Sequence, residues 1–172
     1  MTVLNEQNWY VLRTRPRQEK AVRKLLSDIG VENFLPTSME EHVYVNQRKK
    51  TIEVPLITST CFMRCTAADR FNIVNGLKYK TLLVTDRFTN SSMIIPDKQM
   101  SDFMLVLSLC DGRNLQPVEI FEGDRVVVTE GEMRGVEGVV AKINGHRHFM
   151  LVLNNLASFM LQVPMSMVKK ID

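Results

Sequence analysis

The hydrophobic pattern of the chain changes period once, and that change limits what the chain can fold into. Up to Leu107 apolar residues recur at helical spacing between short strand-like runs. From Phe121 onward the helical period disappears. Val126 and Val128 alternate with Arg125, Val127 and Thr129. Val139, Ala141 and Ile143 alternate, as do His148, Met150 and Val152, and then Phe159, Leu161 and Val163. Glycines punctuate these runs. About five short strands in roughly 50 residues predict a small closed barrel, because closure removes the exposed edges of a lone sheet. The stretch Cys110 to Glu119, with Asp111-Gly112-Arg113-Asn114 and Pro117, reads as a linker.

The first part interleaves strands and helices. Trp9-Tyr10-Val11-Leu12-Arg13 is aromatic and β-branched and predicts a strand. Pro16 suits the opening of a helix, where its missing N–H costs nothing. Val22, Leu25, Leu26 and Ile29 form one apolar stripe, and Gly30 is a natural stop. Val43-Tyr44-Val45 and Thr51 to Val54 flank a polar stretch, predicting a hairpin with a basic tip. Further strands are expected at Cys61–Cys65 and Tyr79–Val84, and helices at Ala67–Asn75 and from about Pro96 to Leu107. The fold class is therefore α+β, with helices packed on an antiparallel sheet, followed by a small β-barrel.

With 172 residues, 45% hydrophobic and 24% charged, the chain has the composition of a folded protein of one or two domains. Its net charge of +3 is unevenly placed. Residues 1–110 hold 15 Lys/Arg against 11 Asp/Glu, and residues 111–172 hold 7 against 8. A polyanion is expected to meet the first part. Residues 9–24 concentrate Arg13, Arg15, Arg17, Lys20, Arg23 and Lys24 against the single acid Glu19. Arg48, Lys49 and Lys50 add a second cluster at the hairpin tip. These nine cations are the candidate nucleic-acid contacts.

No run of 18 apolar residues is present, so no membrane span is expected, and Met1 to Trp9 lacks the pattern of a secretory signal. Three cysteines, an odd and sparse set, suit a reducing cytoplasm. Cys61 and Cys65 share a strand face, but no second ligand pair accompanies them; they read as small buried thiols, with no metal and no cofactor expected. No nucleophile elbow, phosphate loop or zinc-hydrolase pattern occurs, so no catalytic residue and no enzyme activity are expected.

Val128 to Val139, reading Val-Thr-Glu-Gly-Glu-Met-Arg-Gly-Val-Glu-Gly-Val, resembles the KOW motif. Gly123-Asp124 before it, and Val163-Pro164 with Met167-Val168 after it, match as well. In the first part, Trp9-Tyr10-Val11-Leu12 with Arg17-Gln18-Glu19-Lys20, then Phe34-Leu35-Pro36, then Arg48-Lys49-Lys50 with Val54-Pro55-Leu56, resembles the amino-terminal domain of the NusG family. The two signatures stand in NusG order and cover residues 8 to 171. Ile57-Thr58-Ser59-Thr60 departs from the family's usual Phe-Pro-Gly-Tyr, and Glu132-Met133 replaces the common Pro-Phe of the KOW motif. Ile94-Ile95-Pro96-Asp97 and Phe103-Met104 resemble the UpxY antiterminators, a subfamily of surface-polysaccharide operons.

The resemblance implies a NusG-type amino-terminal domain over 8–109, a linker over 110–119 and an SH3-like KOW barrel over 120–172. It implies a cytoplasmic, monomeric transcription elongation and antitermination factor. Pro55, Leu56, Cys61, Phe62 and Met63 would bind the RNA polymerase clamp through a partly exposed apolar patch. The cations would face non-template DNA near the upstream fork. Met133, Arg134, Phe149 and Leu151 of the KOW domain would bind a small-subunit ribosomal protein or the termination factor Rho. The rival reading is a KOW-type RNA-binding ribosomal protein.

Overall fold

The computed structural model describes residues 6–110, 115–118 and 123–171. They form two compact units, one ending at Asp97 and the other beginning at Lys98.

In the first unit, β1 (Gln7–Arg13) runs antiparallel to β5 (Thr60–Thr66), with β2 (Glu32–Phe34) on the far side of β5. The short strands β6 (Leu82–Leu83) and β7 (Ile94–Ile95) both pair with β1, completing a five-stranded sheet. Alternation along β1 and β5 gives the sheet two apolar faces. Tyr10, Leu12, Cys61, Met63 and Cys65 point to one face, where they pack with Val22 and Leu26 of α1 (Glu19–Asp28) and with Val74 of α2 (Arg70–Gly76). Trp9, Val11, Phe62 and Ile95 belong to the other face and are also buried. A separate two-stranded ribbon, β3 (Thr37–Val43) and β4 (Lys49–Pro55), is exposed at every residue from Met39 to Thr51.

α1 begins three residues after Pro16. Arg17 takes φ +67° in the intervening turn, a conformation no helix interior contains, so the helix starts only after it. Gly30, at φ +75°, ends the helix as its spacing predicts. The expected strand Tyr79–Val84 shrinks to two residues, and the expected helix from Ala67 begins at Arg70.

The second unit is β-rich after its opening helix α3 (Asp97–Cys110), which straddles the unit boundary at Asp97. Its strands β8 (Gln116–Val118), β9 (Asp124–Val128), β10 (Glu137–Ile143), β11 (His146–Leu153), β12 (Ala157–Leu161) and β13 (Val168–Lys170) pair in the order β13-β9-β10-β11-β12-β8. A single 3-10 turn, Met165–Met167, precedes β13. Of the expected barrel the structure gives the β-rich unit, whose described strands pair as an antiparallel six-stranded sheet. Among the described residues its end strands, β13 and β8, do not pair with each other.

Glycine shapes the turn before β10 and allows two close approaches in this unit. Gly131 and Gly135 take φ +76° and +88°. Gly138 lies so near β11 that a Cβ there would stand 2.4 Å from the Met150 carbonyl oxygen and 2.6 Å from the Phe149 ring, and a Cβ at Gly123 would stand 2.4 Å from the Val140 carbonyl oxygen.

Half of the expected linker, 111–114 and 119, lies outside the described residues. Within it Gln116–Val118 are described, and they form β8 against β12. The two compact units divide at Asp97 and Lys98, within the span expected for the first domain, and several side chains of α3 bond within the second unit. Lys98 Nζ donates to both oxygens of Asp102, at 2.6 Å each, and to the Gly135 carbonyl at 2.7 Å. Asp102 Oδ2 accepts from the Glu137 N–H at 3.0 Å, and Gln99 Oε1 accepts from the Asn154 N–H at 2.7 Å. The Phe103 and Phe159 rings stack 5.2 Å apart.

Candidate functional site

The nine candidate cations divide by their partners. Glu53, near the end of β4, gathers two of them. Lys20 Nζ lies 3.2 Å from Glu53 Oε2 and donates to the Glu53 backbone carbonyl at 2.6 Å. Arg23 Nη1 lies 3.2 Å from Glu53 Oε1, which also accepts from Thr37 Oγ1 at 3.0 Å. Partial burial pushes the Glu53 carboxyl upward, yet the hydrogen bonds from Arg23, Lys20 and Thr37 together hold it below the usual carboxylate range. Lys24 pairs with Asp28 one turn along α1, at 2.9 Å. Lys49 pairs with Glu41 across the ribbon, at 2.8 Å.

Arg13, Arg15 and Arg17 are exposed, and no described acid pairs with them. The same holds for Arg48 and Lys50. Of the nine candidates, those free of described acids therefore lie at the approach to α1 and at the ribbon tip. Glu53 is the residue that the sequence pattern left unnoticed. A lone acid in a strand gives no signal of pairing with a helix that starts more than thirty residues earlier.

The expected polymerase patch is different from its prediction. Pro55 and Leu56 are half-buried, with the Leu56 N–H donating to the Pro36 carbonyl at 2.9 Å. Cys61, Phe62 and Met63 have no accessible surface. Cys61 and Met63 point into the core under α1, and Phe62, on the opposite strand face, has its ring centroid 6.5 Å from that of Phe34. The expected partial exposure of these three side chains is thus corrected: central strand β5 is flanked on both edges and apolar on both faces.

Burial also fixes the chemistry of the thiols. It pushes Cys61 up to about 12 and Cys65 up to about 11, so both stay protonated at neutral pH. No group of three or more metal-ligating side chains occurs among the described residues.

In the second unit, Met133 is half-buried and Arg134 exposed, in the turn between Gly131 and Gly135. Phe149 and Leu151, expected to face outward, are 0% and 1% exposed. Both point inward, contrary to expectation, and Met150 on the alternate face of β11 is buried as well. Phe149 lies against the bare backbone of Gly138 and pairs with Leu161, while Leu151 pairs with Phe159. His148 and Val152 are the half-buried members of the other face.

No helix among the described residues is long and apolar enough to cross a membrane. No curated protein matches the chain. Among solved structures, one described as "Domain interaction in Thermotoga maritima NusG" is 20% identical, with a TM-score of 0.50, covering 97% of this chain and 98% of that one. That likeness supports the fold. An MjSpt4:Spt5 complex is 14% identical, covering 95% of this chain and 96% of that one, and its TM-score of 0.26 carries no weight. The model of the NusG family, described as transcription termination factor nusG, matches residues 7–104. That span is more than half of the chain and includes β1, α1, the ribbon, β5 and the first half of α3, so the chain belongs to the NusG family of non-catalytic transcription factors.

Proposed function

We propose that this chain is an elongation and antitermination adaptor that rides on RNA polymerase and directs the arginines before α1 toward DNA. Its family acts in transcription elongation and antitermination and generally interacts with RNA polymerase. The observation that carries the finer reading is the cluster of Arg13, Arg15 and Arg17, exposed and free of described acidic partners. Unpaired guanidinium groups gain most from phosphate, because no internal ion pair must be broken first.

In this reading the first unit binds the polymerase clamp and lies over non-template DNA at the upstream fork. A factor that binds the elongating state better than the paused one shifts the population toward elongation by its differential affinity. Pro55 and Leu56, half-buried at the end of β4 and just beyond it, are the clamp-side candidates. The second unit is a KOW-type module with Met133 and Arg134 at an accessible turn, offered to a ribosomal protein or Rho. Surface-polysaccharide operons of the UpxY type are the proposed targets, on the strength of Ile94-Ile95-Pro96-Asp97.

The test uses assembled elongation complexes and the full chain. Crosslinks from Arg15 and Arg17 positions to the non-template strand, with the complex retained on a native gel, are expected. Retention of the complex with crosslinks only to protein would remove DNA from the reading.

A further inference from the structure

The ribbon β3–β4 has two unlike faces, and the register separates them. His42 pairs with Lys50, and one step further Tyr44 donates its N–H to the Arg48 carbonyl at 3.0 Å. His42, Tyr44, Arg48 and Lys50 therefore share one face. On the opposite face Val43 stands across from Lys49, whose charge is met by Glu41, with Met39 further along. One face carries the aromatic rings and the cations Arg48 and Lys50, with Glu40 further down it across from Ile52; no described ion pair joins Glu40 to either cation, while the other face is apolar with its lysine paired.

The aromatic face is built before any ligand arrives. The His42 and Tyr44 rings meet edge to face, 5.0 Å apart at 77°. Gln47 closes the turn at φ +60°, with its N–H donating to the Tyr44 carbonyl, and Asn46 Oδ1 accepts from the Arg48 N–H. Tyr44 remains 45% exposed, so its ring is available for stacking while its backbone is fixed.

We propose that this face of the ribbon tip is a single-stranded nucleic-acid contact. Tyr44, set by His42, stacks on an unpaired base, and Arg48 and Lys50 hold the flanking phosphates. An exposed aromatic ring between free cations matches the stacking-plus-phosphate chemistry of single strands, which tolerates any base because every base has a π-face. Lys49, assigned by charge alone to the same role, stands on the opposite face across from Val43 and is not part of this contact. The inference rests on the adaptor reading for its setting, where a displaced single strand is at hand, and adds a second contact remote in sequence from the arginines before α1.

The test measures binding of the full chain to a 12-nucleotide oligo(dT) and to a duplex of the same length, at low ionic strength. Tyr44→Leu, which changes no charge, should weaken single-strand binding about five- to tenfold, and Tyr44→Phe should retain it. The net-neutral pair Glu41→Gln with Lys49→Gln, on the opposite face, should leave affinity within about twofold. Photocrosslinking with 5-iodouracil should mark Tyr44 or His42.

Wild-type affinity in Tyr44→Leu would overturn the proposal. An equal loss on the duplex would assign the face to a groove and overturn the single-strand contact. Loss of elongation-complex binding with oligonucleotide binding intact would assign it to protein, and overturn it too. Wild-type chain that binds oligo(dT) in this face-dependent way but never joins the elongation complex would sink the adaptor reading alone.

Discussion

Arg23 Nη1 on α1 lies 3.2 Å from Glu53 Oε1 on β4, and this pair ties the root of an exposed ribbon to the helix beside the candidate DNA contacts. Lys20 completes the tie from one turn earlier. Its carboxyl is held below the usual range, so Glu53 favours the folded state most where it is ionised. The contribution is fully present above the unfolded carboxylate's value of about 4.3 and is lost as pH falls through the lower folded value.

Glu53→Gln should therefore cost on the order of 1 kcal/mol at neutral pH, and the difference from wild type should vanish at strongly acidic pH. Chemical denaturation at a series of pH values measures this. A gap that widens on acidification would contradict the assignment.

Phe149→Ala should unfold or severely weaken the second unit, by about 3–5 kcal/mol, since it opens a cavity against Gly138 and Leu161. Thermal unfolding followed by circular dichroism reads it. Native stability in this variant would return Phe149 to the outer face.

Much of the fold was legible because it depends on local pattern. The stripe Val22, Leu25, Leu26 and Ile29 and the stop at Gly30 gave α1 its end, and the glycines of the second unit gave its turns. The start of α1 was misplaced because the positive φ of Arg17 has no sequence marker. The inner face of β11 was misread because Phe149, Met150 and Leu151 are all apolar, so alternation alone could not choose. Gly138 chooses, being small enough for Phe149 to lie over it. The candidate site was legible as charge and not as geometry. Which cations are free follows from Glu53 and Glu41, residues brought near by strand pairing.

Asp102 should behave as a structural carboxylate of α3. Asp102→Ala leaves the Glu137 N–H without its acceptor and Lys98 without its partner, and should cost about 1–3 kcal/mol. Hydrogen exchange at Glu137 is the direct readout. Exchange unchanged from wild type would mean that the clasp between α3 and β10 is not formed in solution.

Phe62→Ala should lower the stability of the first unit by about 3–5 kcal/mol, as expected of a ring with no accessible surface. Denaturant titration measures it. A stable variant with weakened polymerase binding would mark Phe62 as an interface residue instead.

The most direct test of the central claim is the salt dependence of loading onto assembled elongation complexes, compared between wild type and Arg15→Glu with Arg17→Glu. The log–log slope of wild type should be steeper than that of the variant by about 1 to 2, because two phosphate contacts are lost. Lys20→Gln should match wild type, since Glu53 already occupies that ammonium group. Identical slopes for wild type and the double variant, with loading unchanged, would contradict the account and leave the arginines before α1 as an ordinary solvated surface.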